Sequence, residues 1–113
     1  MTEIPKLGLG TWQNTNPEEC VNSVKTALNM GYKHIDTAQA YDNEHDVGRG
    51  IKEADVNRSE FFLASKVWIN NLSQEKVVSS TEKSLEKLDV EKIDLMYIHW
   101  PADEYSPQET LKA

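Results

Sequence analysis

The sequence predicts a parallel α/β fold, and within that class about the first four βα units of a (β/α)8 TIM barrel. Three observations predict it. Strand-like segments begin near residues 4, 33, 61 and 93, at steps of 29, 28 and 32 residues, and each step holds one helix-like stretch. Regular strand–helix alternation of this kind builds βαβ units around a parallel sheet. The first strand-to-helix loop, Trp12 to Thr15, has no G-x-G-x-x-G opening a helix, which weakens the competing doubly wound dinucleotide fold. Finally, a fourth helix begins at Ser106 and has room for only about two turns before Ala113, whereas a whole barrel takes about 250 residues. Residues 1–113 are therefore read as one incomplete domain, the N-terminal half of a barrel.

Each element has its own local reason. Ile4 to Thr11 is short and apolar, with Gly8 and Gly10 inside it, and is the predicted first strand. Asn16-Pro17-Glu18-Glu19 opens the first helix. Asn16 can cap, Pro17 suits a first helical position that needs no N–H, and Glu19 can close a capping box. Val21, Val24 and Leu28 share one helical face, and Gly31 ends the helix. Lys33 to Asp36 is the second strand. The second helix starts near Asn43 and lines up Val47, Ile51 and Ala54. Arg58-Ser59-Glu60 reads as a turn, and Phe61 to Lys66 as the third strand. Ser73 caps a third helix with an expected inner face of Val77, Thr81, Leu85 and Leu88, and the charges from Glu82 to Glu91 form its solvated side. Ile93 to His99 is the fourth strand. Ser106-Pro107-Gln108-Glu109 repeats the signals that open the first helix.

Composition excludes several functions. With 12 Lys+Arg against 19 Asp+Glu, the net charge of −7 offers no footprint for nucleic acid or anionic lipid. No apolar run reaches 18 residues, so no transmembrane span is expected, and the first ten residues lack the pattern of a secretory signal. The single cysteine, Cys20, cannot form an internal disulfide and suits a reducing, cytoplasmic setting. Cys20 is expected to be inert, on the helix surface or in packing. No metal site is expected: His34, His45 and His99 fit no ligand spacing. His34 is read as a buried, hydrogen-bonded barrel residue.

The chemistry gathers at the C-terminal ends of the strands. Trp12 lies just past strand one, Asp36 ends strand two, Tyr41 lies in the loop after it, Lys66 ends strand three, and His99 with Trp100 ends strand four. In a parallel barrel those ends open onto one face, where barrel enzymes keep their sites. Asp36, Tyr41, Lys66 and His99 would thus converge. An unperturbed tyrosine pKa of about 10 is high for an acid working near neutrality, and a neighbouring ammonium lowers it. Lys66 can supply that ammonium, Asp36 can hold it charged and in place, and His99 can donate to a substrate oxygen. A proton donor beside an oxyanion clamp suits carbonyl reduction, with hydride from a nicotinamide or flavin. Trp12, Trp68 and Trp100 each follow a strand end and are read as pocket walls.

These residues fall in motifs that resemble the aldo-keto reductases: Gly8-Leu9-Gly10-Thr11-Trp12, Gly31-Tyr32-Lys33-His34-Ile35-Asp36-Thr37-Ala38, Tyr41-Asp42-Asn43-Glu44 with Val47-Gly48, Ser65-Lys66-Val67-Trp68 and Tyr97-Ile98-His99-Trp100-Pro101. The resemblance covers essentially the whole chain and is nearest to the prokaryotic aldehyde and diketogluconate reductase branch. It implies a catalytic set of Tyr41, Asp36, Lys66 and His99, with Tyr41 as proton donor. It implies NADPH bound without a Rossmann fold, with Gly10, Thr11, Trp12 and Asp36 on the cofactor side. Trp12, Trp68, His99 and Trp100 are implied on the substrate side, toward a small carbonyl compound. The family's remaining contacts to the carboxamide, nicotinamide ring and 2′-phosphate, and its C-terminal substrate loop, lie beyond residue 113. A full-length parent is expected to be a monomer. Residues 1–113 alone are expected to need a C-terminal half or a second copy. A non-catalytic or regulatory reductase-like subunit is the alternative reading.

Overall fold

The computed structural model describes residues 3–102 and 105–113. Four strands, β1 (Leu9–Gly10), β2 (His34–Asp36), β3 (Phe62–Val67) and β4 (Leu95–Ile98), lie side by side in chain order, every neighbouring pair parallel. Helices α1 (Pro17–Asn29), α2 (Glu44–Glu53) and α3 (Gln74–Leu88) follow the first three strands, and a short α4 (Pro107–Thr110) follows the fourth. Short 3-10 turns occupy Gln39–Tyr41, Arg58–Glu60 and Ile69–Asn71. This is the predicted βα alternation, with parallel strands joined by helical crossovers.

The three longer helices cover one face of the sheet. Ile35 and Leu63 point from the strands into a core with Cys20, Val24, Leu28, Val47, Ile51, Phe61 and Leu88. Cys20 is fully buried, so of its two expected places it takes the packed one, and burial, with Asp46 nearby, pushes its thiol up to about 11. α2 is wedged between its neighbours by two glycines. A Cβ at Gly48 would come within 2.7 Å of the Leu88 and Lys87 carbonyls, and one at Gly50 within 2.6 Å of Val24 Cβ. The opposite face of the sheet leaves Leu95 and Tyr97 exposed.

Several boundaries differ from expectation. The first strand is expected from Ile4, but the ladder holds only Leu9 and Gly10, because Pro5 has no N–H to contribute and β2 offers three residues to pair with. Ile4 and Leu7 are exposed. The second strand begins at His34, and the third runs Phe62–Val67 with every residue buried. The fourth strand's ladder is Leu95–Ile98, and backbone bonds from Asp94 N–H to the Leu63 carbonyl and from His99 N–H to the Val67 carbonyl extend it at both ends.

The helix starts are part expected, part corrected. Asn16 caps α1 by accepting from the Glu19 N–H at 3.0 Å, and Ser73 caps α3. Ser106 does not cap α4, since its hydroxyl turns to Gln108 instead. The buried line of α3 is rotated from the expected one. Ser84 and Leu88 are buried, while Val77, Thr81 and Leu85 are half-buried, because the Ser84 hydroxyl is drawn inward to Glu44. Arg58 ties the lower end of the sheet by donating to the Phe61 and Lys92 carbonyls and pairing with Asp94 at 2.6 Å. Among the described residues no helix is long and apolar enough to cross a membrane.

Candidate active site

Parallel register places the polar strand ends together. Asp36 pairs with Ala64, so Lys66, two residues further along β3, stands beside Asp36 on the same face, and Tyr97 stands opposite Lys66 on β4. The chain then leaves β2 through the 3-10 turn Gln39–Tyr41, which swings Tyr41 back over that strand end.

Lys66 is the centre of this arrangement. It is only 7% exposed, and its ammonium donates to Asp36 Oδ2 at 2.7 Å, the Thr37 carbonyl at 2.9 Å and Tyr41 Oη at 3.2 Å. A buried ammonium with three acceptors repays its desolvation through charge-assisted bonds. Burial pulls the Lys66 ammonium toward neutrality, but the bonds to Asp36 and Tyr41 and the Asp36 charge outweigh it, and the net direction is upward. Lys66 also sits 4.8 Å from the Tyr41 ring centroid and 5.2 Å from that of Tyr97.

His99 closes the opposite side. Its ring meets the edges of Tyr41 and Trp68 at 5.7 and 5.2 Å, and Trp100 stacks on it at 6.2 Å. Burial first, and the Lys66 charge second, hold His99 below its ordinary value of 6.5. At neutral pH it is therefore an uncharged imidazole with one N–H to donate. Tyr41, His99, Trp12, Trp68 and Trp100, with Gln13, Thr15 and Ala40, line an open cavity of about 630 Å³. The four residues read as converging do come together, and the three tryptophans stand on the wall of the same cavity.

The residues expected on the cofactor side divide. Gly10 is open: a Cβ built there would meet nothing within 4 Å. Trp12 is 69% exposed. Thr11 is fully buried, and its hydroxyl is engaged by Thr37 and the Asp36 carbonyl. Asp36 faces the site, with Oδ1 accepting from Tyr97. His34 differs from its expected role: it is half-buried, edge-on to Phe62, and its Nε2 has no partner among the described residues. The ring packs against Gly8, where a Cβ would come within 2.9 Å of His34 Cγ and Nδ1. Among the described residues no three His, Cys, Asp or Glu side chains gather as metal ligands do.

Two contributors escape a strand-by-strand reading. Tyr97 donates to Asp36 Oδ1 at 3.1 Å, and burial, opposed by the Lys66 hydrogen bond, keeps its phenol protonated beyond its ordinary range. Its signal was the two-residue period that puts Tyr97 and His99 on one face. Gln39 anchors Trp68, accepting from the Trp68 N–H at 2.9 Å and from Asn71 at 3.0 Å. Nothing in its local sequence announces that.

The family model described as "Aldo/keto reductase family" matches residues 6–113. The chain is 47% identical over 112 residues to methylglyoxal reductase DkgB of Escherichia coli O157:H7, covering 97% of this chain and 42% of that protein. Among solved structures it is similar to MGS-M4, an aldo-keto reductase from a Medee basin deep-sea metagenome library, with TM-score 0.91 and 39% identity, covering 99% of this chain and 41% of the other. It is also similar to a Bombyx mori aldo-keto reductase in complex with NADP, with TM-score 0.84 and 37% identity, covering 95% and 38%. The chain thus spans about two fifths of the length of the relatives it matches.

Proposed function

The chain belongs to the aldo/keto reductase family, and on that premise we propose that it forms the proton-delivering half of an NADPH-dependent reductase of small aldehydes and ketones. The domain is then the N-terminal half of a barrel, and the complete barrel is the working enzyme. The observation that supports this reading most is the buried Lys66 ammonium, bonded at once to Asp36 and to the hydroxyl of Tyr41, the residue that lines the open cavity in front of it.

In this reading the carbonyl oxygen of the substrate lies between Tyr41 and His99. His99, uncharged at neutral pH, donates a hydrogen bond to that oxygen and polarises the carbonyl. Bound NADPH supplies the hydride. As negative charge builds on the carbonyl oxygen, the Tyr41 O–H gives up its proton to it, forming the alcohol. The phenolate left behind is stabilised by the ammonium 3.2 Å away and regains a proton from solvent. Asp36 keeps Lys66 charged and in place, and Trp12, Trp68 and Trp100 wall the cavity.

The residues present suit one end of the cofactor. The space over Gly10 is open and Trp12 is exposed, so Gly10, Thr11, Trp12 and Asp36 are the residues here that would hold the nicotinamide end of the cofactor, which would supply the hydride. Among the described residues no lysine or arginine lines the cavity. We therefore assign the phosphate contacts to the rest of the barrel. A single buried cysteine and an acidic surface fit a cytoplasmic enzyme with a small-molecule substrate and no nucleic-acid partner.

The test is NADPH consumption by the complete barrel with methylglyoxal, glyoxal and a simple aromatic aldehyde. Saturable consumption with at least one supports the reading. Tight NADPH binding with no turnover of any of them would contradict it and favour a non-catalytic subunit.

A further inference from the structure

Asn43 lies in the Tyr41-Asp42-Asn43-Glu44 stretch, yet neither proton delivery nor substrate contact uses it. It stands immediately before α2, where asparagine ordinarily accepts a hydrogen bond from a helix N–H. Its side chain makes no such bond. It is only 2% exposed, and it reaches instead to the loop after β1. Asn43 Nδ2 donates to the Thr11 carbonyl at 2.8 Å and to the Asn14 carbonyl at 3.2 Å. Asn43 Oδ1 accepts from the Thr37 hydroxyl at 3.1 Å, and the Thr37 oxygen accepts from the Thr11 hydroxyl at 2.8 Å. Both amide N–H groups and the oxygen are used.

These bonds join two tight turns. The two carbonyls bracket Trp12-Gln13, where Gln13 has φ 62°, and Asp42, bonded covalently to Asn43, has φ 54°. Left-handed conformations at non-glycine residues are uncommon and persist only where the surroundings over-determine them. The first turn carries Trp12, Gln13 and Thr15 to the cavity, and the second carries Ala40 and Tyr41.

We propose that Asn43 is a positioning residue whose amide pins the Trp12–Gln13 turn to the Tyr41–Asp42 turn, and so sets the width of the cavity and the size of carbonyl substrate accepted. The size selection rests on the reductase reading above; the pin does not. Aspartate is nearly isosteric with asparagine and is as good a helix cap, with a charge that suits a helix N-terminus. It has no N–H to give. If Asn43 were only a cap, Asn43→Asp would be neutral or stabilising. As a pin, it turns a carboxylate oxygen onto two carbonyl oxygens and opens the junction.

The experiment uses the complete barrel with Asn43→Asp, and Asn43→Ser as a second variant, a good cap too short to span both carbonyls. Hydrogen exchange is followed at the Asn14 amide, bonded to the Thr11 carbonyl, and at the Asp42 amide, bonded to the Gln39 carbonyl. Exchange at both should speed up by about ten-fold or more while the α2 amides stay protected. The ratio of kcat/KM for benzaldehyde over glyoxal should change by about ten-fold, because a displaced wall treats large and small substrates differently. Loss of folded protein alone would scale kcat for both alike and leave the ratio fixed. Unchanged exchange at Asn14 and Asp42 overturns the pin. Faster exchange with an unchanged ratio overturns the size selection. Should the native barrel reduce none of methylglyoxal, glyoxal and benzaldehyde, the reductase reading fails, and exchange alone decides the pin.

Discussion

Lys66 has three acceptors for its three protons, and replacing it leaves each of them short. In Lys66→Met the Asp36 carboxylate keeps, among the described residues, only Tyr97 as a side-chain partner, and Tyr41 loses its adjacent positive charge. Carbonyl reduction at neutral pH should fall by about 10²-fold or more, in the range general acid catalysis supplies. Asp36→Asn should cost less, since Lys66 keeps the Thr37 carbonyl and the Tyr41 oxygen as partners. Steady-state rates of the two variants check this ordering, and the reverse order would make Asp36 the primary group. His99 gives a pH test. Its value is held below 6.5 in the folded protein, so the fold is favoured by the neutral ring. That contribution is complete above pH 6.5 and is lost as pH falls through the lower folded value. Melting temperatures measured downward from neutral pH should therefore drop less steeply in His99→Asn than in the native protein.

At the scale of elements, α2 is fixed by what it lacks. A methyl at position 50 would sit 2.6 Å from Val24 Cβ and 2.9 Å from the Val21 carbonyl, so Gly50→Ala must push α1 and α2 apart. The gain in helix propensity, about 1 kcal/mol, should be outweighed by overpacking of about 1–3 kcal/mol. Thermal or urea unfolding checks the sign, and a stabilised Gly50→Ala would mean the interface is looser than described. These elements were legible in the sequence to different degrees. α1 was plain because Asn16 and Pro17 act locally: Asn16 accepts from the Glu19 N–H as read, but the Glu19 side chain returns no bond to Asn16, so the expected capping box does not close. Asp36, Tyr41, Lys66 and His99 were plain because strand ends converge in any parallel sheet. What the sequence hid were side chains whose partners are remote in the chain. Asn43 looks like a cap but is drawn to a loop 32 residues away, and Ser84 turns α3 because a carboxylate 40 residues away needs a donor. Ser106 looked like Asn16, yet its hydroxyl found a nearer acceptor in Gln108.

For the whole molecule, the sheet has two outer strands, β1 and β4, and one face that no helix covers among the described residues. Unpaired edges template further pairing, and parallel sheets are stable almost only with both faces covered. Leu95, Tyr97, Leu7 and Trp100 add exposed apolar surface. Residues 1–113 expressed alone should therefore associate with copies of themselves or with a separately supplied C-terminal half-barrel, and should bind NADPH weakly. Sedimentation with a fluorescence titration checks both, and a compact monomer that binds NADPH tightly would show the four units to be self-sufficient. The central claim, that Tyr41 gives the proton with Lys66 behind it, is tested most directly by Tyr41→Phe in the complete barrel. NADPH affinity and aldehyde turnover are measured on the same sample. The expected result is near-native NADPH binding with turnover reduced by about 10²–10⁴-fold. Turnover within a few-fold of the native enzyme would contradict the account and move the proton donor elsewhere.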